Sequence, residues 1–553
     1  MPQSDLVTVN VALRPANAAR PAFGTSLLLH NLTDAQDALM GSSRTALLTS
    51  ATWTADLAAL GITDGEAAYE SVQSHFSQPR KPTKAYLGRR GKDIQQVWTV
   101  VVPGVPADGV YAISVIGATG TPYSFAAVGS TQAAVRTALL TALGAGSATF
   151  VAAAGVGAGD ITITAVAAGV PLVVQVSSPA ASMTASVTTG TSVLTVAQVW
   201  TMDINSAALG VYTLTVQTTT GQEVYTHIAT VGATVTTIRD ALKALYDATP
   251  SDLFGATMVS VSTDQGTLTA SLAGRPGTVS ITSPASDATV TVTTANYGVA
   301  DDWALMATSN TDWYHGVLGS KVAAELLLSE EWFRVDDRHE LGLQSSDADI
   351  LTSVTTDVFS TLKARGSYRV YGVQHHIDAE GIVEAWAGDV LTDPAGSVSW
   401  PWKILTGFTD RVLTASEAAN LRAKEGSFLE NFAARDQSIM NGGYSFAGRP
   451  IDIARALDTL RSNMEIAIAD LFIGSRIVPY SKQGQSVIEG VIWNEINNAV
   501  AAGYAVDGTF TVEFGDIVPG SADAVRGIYP DFEVTGTIQA GGYKVIVNME
   551  LSQ

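Results

Sequence analysis

Apolar and polar positions alternate near both ends of the chain. Val7, Val9, Val11 and Leu13 alternate with Thr8, Asn10 and Ala12. Val545, Val547, Met549 and Leu551 alternate with Lys544, Asn548 and Glu550, and only Ile546 breaks the rule. A period of two is that of a half-buried β-strand. Strands are therefore expected over residues 6–13 and 543–551. Each can pair within its own chain or with a neighbour.

The rest divides by pattern. Residues 1–92 are mixed: a strand over 22–30, a short helix over 33–40, a segment from Trp53 closed by Gly61, a helix through Phe76 and a short strand over 84–88. Residues 94–297 are rich in Thr, Val, Ala and Gly, and they repeat. Gln96-Val-Trp-Thr99 returns as Gln198-Val-Trp-Thr201 and Gly109-Val-Tyr111 as Gly210-Val-Tyr212. Ala134-Val-Arg-Thr-Ala-Leu139 resembles Thr237-Ile-Arg-Asp-Ala-Leu242. Three blocks in one order, each returning about a hundred residues on, predict two tandem small α+β domains, 94–196 and 197–297. Each reads as two strands, one helix and two or three further strands. The period is too long for a solenoid.

Residues 298–406 alternate between strand and helix. Strands are expected at 303–306 and 368–373, and helices at 320–332, 348–364 and 377–390, which predicts a parallel or mixed sheet with helices on its faces. Residues 407–553 open on a capping-box pattern, Thr414-Ala-Ser-Glu417. Two strands follow, at 431–434 and 437–440. Pro450 starts a long helix whose stripe is Ile453, Leu457, Leu460, Met464, Ile468 and Leu471. Ser486-Val-Ile-Glu489 reads as the cap of another helix, ended by Gly503. Strands at 510–514 and 543–551 close the chain. The fold class expected is multidomain α+β and α/β. A mixed-sheet core is built from N- and C-terminal segments (1–92, 298–406 and 407–553), and the two β-rich domains are inserted between them.

Composition narrows the function. A chain of 553 residues with 46% hydrophobic and 15% charged content is long enough for several cores. Its net charge of −21 and lack of a basic run set it against nucleic acid and anionic lipid. The densest basic stretch, Arg80 to Lys92, has no glycine-rich loop beside it and reads as a solvated or subunit-contact surface. With no cysteine, disulfides, thiolate catalysis and cysteine-ligated zinc are excluded. Neither a signal peptide nor a membrane-spanning run is expected.

The chemistry expected is correspondingly sparse, with no catalytic, cofactor-binding or metal-binding residues and no cofactor. No phosphate loop, nucleophile elbow or His-Glu-x-x-His motif occurs; His339-Glu340 is followed by Leu-Gly-Leu. His375 and His376 are adjacent at a strand end, so they point to opposite faces. Asp301-Asp302, Asp336-Asp337 and Asp347/Asp349 lack the spacing of a calcium loop and read as caps and turns. Trp98 and Trp200 hold equivalent repeat positions and read as domain core.

Several segments occur in a characteristic order: Asp301-Asp-Trp-Ala-Leu305, Trp402-Lys-Ile-Leu-Thr-Gly407, Gly443-Tyr444, Ile477-Val-Pro-Tyr-Ser-Lys-Gln-Gly484, Ala499-Val-Ala-Ala-Gly503 and the terminal run Gly541 to Leu551. This order resembles the contractile-tail sheath family of myophages and related injection machines. The resemblance lies mostly in 1–92 and 298–553. It implies a structural protein, not an enzyme, polymerising as a helical tube of stacked hexameric rings around a tail tube. It implies contraction that drives the tube through a host envelope. The partners implied are further copies, the tail tube protein, and baseplate and tail terminator proteins; neither nucleic acid nor membrane insertion is implied. The location implied is the virion's tail sheath, assembled in the host cytoplasm. Exchanged terminal strands would map onto Val7, Val9, Val11, Leu13, Val545, Val547, Met549 and Leu551. The alternative is another virion surface or baseplate protein whose β-rich repeats bind host glycans. An enzyme with its site in 298–406 lacks a paired-acid constellation.

Overall fold

A computed structural model describes residues 6–10 and 23–539, apart from 41–42, 105, 117–121, 145–148, 169–171, 180–181, 218–221, 252–253, 255–256, 272–273, 276, 337, 433–436, 519–528 and 530–531. The chain forms two compact units. One comprises Met1–His30, Thr45–Gly88 and Met306–Gln553; the other comprises Asn31–Arg44 and Arg89–Leu305.

The first unit is built on an eight-stranded main sheet. Its strands run Gln437–Asn441, Ser427–Phe432, Val370–Gln374, Glu340–Ser345, His315–Leu318, Ser26–His30, Lys84–Arg89 and Thr45–Thr49 in spatial order. Neighbours from Ser26–His30 through Ser427–Phe432 pair in parallel, and the hairpins at the two ends are antiparallel. The four central strands are buried at every position. Parallel strands covered on both faces read as continuous rather than alternating apolar runs. The sheet takes strands from both sides of residue 407, so the boundary expected there falls inside one sheet. Helices Ala67–Ser77 and Ile382–Val390 pack on each other and on the sheet. At their crossing a Cβ on Gly388 would stand 2.3 Å from the His75 carbonyl oxygen, so only glycine permits the approach.

A smaller terminal sheet lies downstream. Strand Phe532–Thr537 is central, with Thr511–Phe514 on one side and Leu6–Asn10 on the other, all antiparallel. It packs on a pair of helices, Ile451–Gly474 and Lys482–Ala501. Met464, Ile468, Ile488, Ile492, Phe510, Phe532 and Val534 share one core. The strand Phe532–Thr537 is not expected from the sequence pattern, and the strand expected at 543–551 lies outside the described residues.

Several sequence expectations shift. Residues 303–306 are helical, within Val299–Ser309. Val299, Trp303 and Met306 are all buried, at the three- and four-residue steps of a helix face. The expected helix at 348–364 is a short 3-10 turn, Ala348–Leu351, followed by helix Val358–Arg365. Ser486 does not cap its helix. Ser481 does, accepting from the Gly484 N–H at 3.3 Å, while the Ser486 hydroxyl donates back to the Lys482 carbonyl inside the helix. The capping box at Thr414 forms: its hydroxyl accepts from the Glu417 N–H at 3.2 Å and the Glu417 carboxylate from the Thr414 N–H at 2.8 Å.

The second unit contains the two repeats, and they share one topology. Among the described residues each has three strands, a helix and four more strands, in place of the shorter order expected. The helices are Gln132–Gly144 and Val235–Ala248. The first copy has a four-stranded sheet ordered Thr184–Thr189, Val97–Val101, Asp160–Ala165, Phe150–Ala154, and a three-stranded sheet ordered Val173–Ser177, Val110–Ile116, Pro122–Val128. The second copy follows the same two orders. The equivalence extends to single contacts. The Gln96 side-chain oxygen accepts from the Leu172 N–H, and that of Gln198 from the Gly277 N–H. The equivalence ends at the tyrosines: Tyr111 donates to the Ala107 carbonyl, whereas Tyr212 donates to the Asp287 carboxylate at 2.8 Å and accepts from the Ala208 N–H. Trp98 and Trp200 pack against the two cores.

Candidate assembly interface

The terminal sheet brings together residues more than 500 positions apart in the chain. The register sets Val7 opposite Gly536 and Val9 opposite Val534. Among the described residues Leu6–Asn10 forms an edge of this sheet and Thr511–Phe514 the other. An edge strand presents unpaired backbone donors and acceptors that another strand can use. Of the eight expected linking positions, Val7 and Val9 lie in this strand; Val11, Leu13, Val545, Val547, Met549 and Leu551 lie outside the described residues.

A buried polar joint ties the long helix Ile451–Gly474 to the main sheet. Tyr314, Glu340 and Arg369 occupy neighbouring sheet positions, since the Glu340 N–H donates to the Tyr314 carbonyl and the Leu341 N–H to the Arg369 carbonyl. The helix supplies Arg455 and Asp458. Tyr314 donates to the Asp458 carboxylate at 2.7 Å, and the Arg369 guanidinium engages both its oxygens. Arg455 donates to the carbonyls of Val390, Leu391 and Asp393. Among the described residues neither oxygen of Glu340 has a partner at hydrogen-bond geometry. Burial, helped by the Asp458 charge and opposed by Arg455 and Arg369, pushes its carboxyl up to about 8. Two histidines nearby are held neutral. Burial lowers His75 to about 4, against its bond to the Glu384 carbonyl, and lowers His315 to about 3. All five members of the joint are buried, so a soluble substrate does not reach them and the arrangement is a structural clamp.

The chain is similar to solved structures of contractile sheath proteins. The sheath tail protein of Listeria innocua matches over 93% of this chain and 95% of that chain, at 10% identity and a TM-score of 0.40. The helical sheath of the anti-feeding prophage in its contracted state matches over 46% of this chain and 74% of that chain, at 13% identity and a TM-score of 0.35. The contracted sheath of an extracellular contractile injection system, PVC, matches over 46% and 75%, at 11% identity and a TM-score of 0.37. No family model and no curated protein matches the chain.

Asp301, Asp336 and Asp347 have partners close in sequence, as caps and turns do, whereas Asp302 is held mainly by a distant segment. Asp302 is buried against Arg90 at 3.1 Å and accepts from the Gly91 N–H and the Tyr297 hydroxyl. Asp301 accepts from the Gly298 N–H, and Asp347 from the Asp349 N–H at the start of the 3-10 turn. Asp336 accepts from His339, and Asp337 lies outside the described residues. His375 is buried beside Glu380 at 2.8 Å and His376 is exposed, but both follow the strand's last residue, Gln374, and their rings stand edge to face 4.9 Å apart rather than on opposite faces. No group of three potential ligands converges among the described residues, and no helix there is long and apolar enough to cross a membrane. The basic stretch is not uniformly a surface. Arg89 and Arg90 are interior, paired with Asp93 and Asp302 respectively. Their carboxylate partners lie outside the run of basic residues, so a tally of local charge missed them.

Proposed function

We propose that this chain is a structural subunit of a contractile sheath, assembling with copies of itself. The observation that carries the reading is the terminal sheet, in which a strand from the first ten residues fills the edge of a sheet otherwise built from residues 511–537. Backbone hydrogen bonds hold such a strand, and they are indifferent to which chain supplies it. Exchange between identical neighbours keeps the pairing and links the subunits, and a head-to-tail contact of this kind need not close into a ring. On this reading residues 6–13 and 543–551 are the linking strands. The polymer is a helical tube of stacked hexameric rings around a tail tube, bounded by baseplate and terminator proteins and belonging to a virion assembled in the host cytoplasm. Contraction repacks subunit faces while the exchanged strands keep the lattice connected. New lateral burial supplies the energy.

The glycan-binding alternative gains little from the repeats. In both three-stranded sheets the outward row is Val, Ile, Ala, Thr, Ser, Gln and Pro, such as Val110 opposite Val128 and Val211 opposite Ile228. No aromatic platform for a sugar ring stands there.

Negative-stain microscopy of the purified full chain tests the proposal. Wild type is expected to form tubes or rings, and deletion of residues 1–13 or 543–553 to leave folded monomers. Wild type that stays monomeric at every concentration overturns it.

A further inference from the structure

Two bulky residues of the first unit sit in left-handed backbone, and both line one pocket. Trp402 has φ +66° and Glu425 φ +59°. L-residues with side chains rarely adopt this region, and such strain concentrates at functional sites. The pocket has a volume of about 340 Å³, and Arg422, Asn441 and Tyr444 also line it.

The strain at Glu425 has a defined origin. Helix Ala415–Ala423 ends in a Schellman motif, with the Gly426 N–H donating to the Leu421 carbonyl at 3.0 Å and the Glu425 N–H to the Arg422 carbonyl at 3.1 Å. The left-handed position of this motif is usually glycine. Here it is Glu425, whose carboxylate meets the Lys363 ammonium at 3.1 Å at the pocket wall. Trp402 is fixed by its own N–H donating to the Met440 carbonyl at 2.8 Å and by the Met440 N–H donating to the Lys403 carbonyl at 2.8 Å. Its side chain is nonetheless 53% exposed, so burial does not offset the strain.

Arg422 completes the set. Its guanidinium lies 5.4 Å from the Phe428 ring centroid, and among the described residues no carboxylate pairs with it. Trp, Tyr and Arg converging on one pocket is the composition of interface anchor points. The volume is at the small end for ligand sites. It suits one or two side chains better than a large ligand. An unpaired guanidinium beside an exposed indole matches a carboxylate on an apolar stem. The chain carries 52 acidic residues and a net charge of −21, so its own copies are rich in that chemistry.

We propose that this pocket is an anchor point between subunits, taking an acidic side chain of a second copy of the chain, with the stem against Trp402 and Tyr444 and the carboxylate on Arg422. The proposal rests on the self-assembly reading above. The test compares full-length wild type, Trp402→Gly and Arg422→Gln by thermal melting of the monomer and by sedimentation for the critical concentration of assembly. Glycine relieves the left-handed backbone, so Trp402→Gly is expected to melt at or above the wild-type temperature while its critical concentration rises at least tenfold. Arg422→Gln is expected to raise it similarly, and Arg422→Lys to restore part of the loss. Wild type that assembles while both variants assemble at the same concentration overturns the pocket alone. Wild type that never assembles overturns both readings. Protection of Trp402 fluorescence by N-acetylglucosamine, with assembly of the variants unchanged, overturns the pocket's subunit role in favour of a saccharide.

Discussion

Glu340 begins a central strand of the main sheet with a carboxyl that burial pushes up to about 8 from 4.5. Between those values the folded protein holds a proton that the unfolded chain has released. This contribution therefore declines as pH rises from about 4.5 to 8, by about 1.4 kcal/mol per pH unit. Asp458, Arg369, Arg455 and Tyr314 face the same joint from the long helix and the adjoining strands. Glu340→Gln removes the titration. Denaturant melts of both proteins across pH 5 to 8 are expected to show wild type losing stability relative to the variant as pH rises, and parallel curves would refute the assignment. His75 and His315 act in the other direction. Their pKa values are lowered to about 4 and about 3, so the folded state stays neutral while the unfolded chain takes up protons below 6.5, and stability falls on acidification. None of this was legible in the sequence. Glu340 stands in a run, Glu-Leu-Gly-Leu, that shows a strand but not the arginines supplied by distant segments. The Thr414 cap was legible, because its partner is three residues away. Thr414→Ala is expected to cost about 1 kcal/mol in a denaturant melt.

At the scale of elements, periodicity served best where one element packs on one core. The stripe of the long helix, Leu460, Met464 and Ile468, is buried as the 3.6 period requires. The strand at Phe532–Thr537 escaped notice although Phe532, Val534 and Gly536 form its inward row. Its alternation is interrupted at Gly536, where a Cβ would stand 2.2 Å from the Phe510 ring. Glycine there is a packing requirement that resembles a turn signal in sequence. Ile492 is fully buried between the helix pair and this sheet. Ile492→Ala is expected to destabilise the first unit by about 2–5 kcal/mol, read as a shift of its denaturant midpoint at constant slope.

At the scale of the whole molecule, the two repeats form a self-consistent body. Each has its own core, helix and pair of sheets, and they are continuous in sequence from Val97 to Thr294. Deletion of residues 94–297 is expected to leave a folded chain that still polymerises, as judged by circular dichroism and negative-stain microscopy. Loss of polymerisation with the remaining chain folded would place an essential contact in the repeats. The candidate interface was legible only in part. The alternation at 6–13 showed a strand, but its partner, Phe532–Thr537, lies more than 500 residues away, and no local pattern encodes that pairing.

The sequence by itself determined the local facts: the duplication of residues 94–297, the strand at the N-terminus, the helical stripe after Pro450 and the capping box at Thr414. These depend on neighbours within a few residues or on a repeat read directly from the chain. Only the tertiary structure decided that one sheet spans residues 26 to 441, that Glu340 is shut in with Arg369, Arg455 and Asp458, and that Trp402 and Glu425 meet Arg422 at one pocket. Each depends on chain segments brought together by burial, and burial rewards apolar area without encoding which partner supplies it.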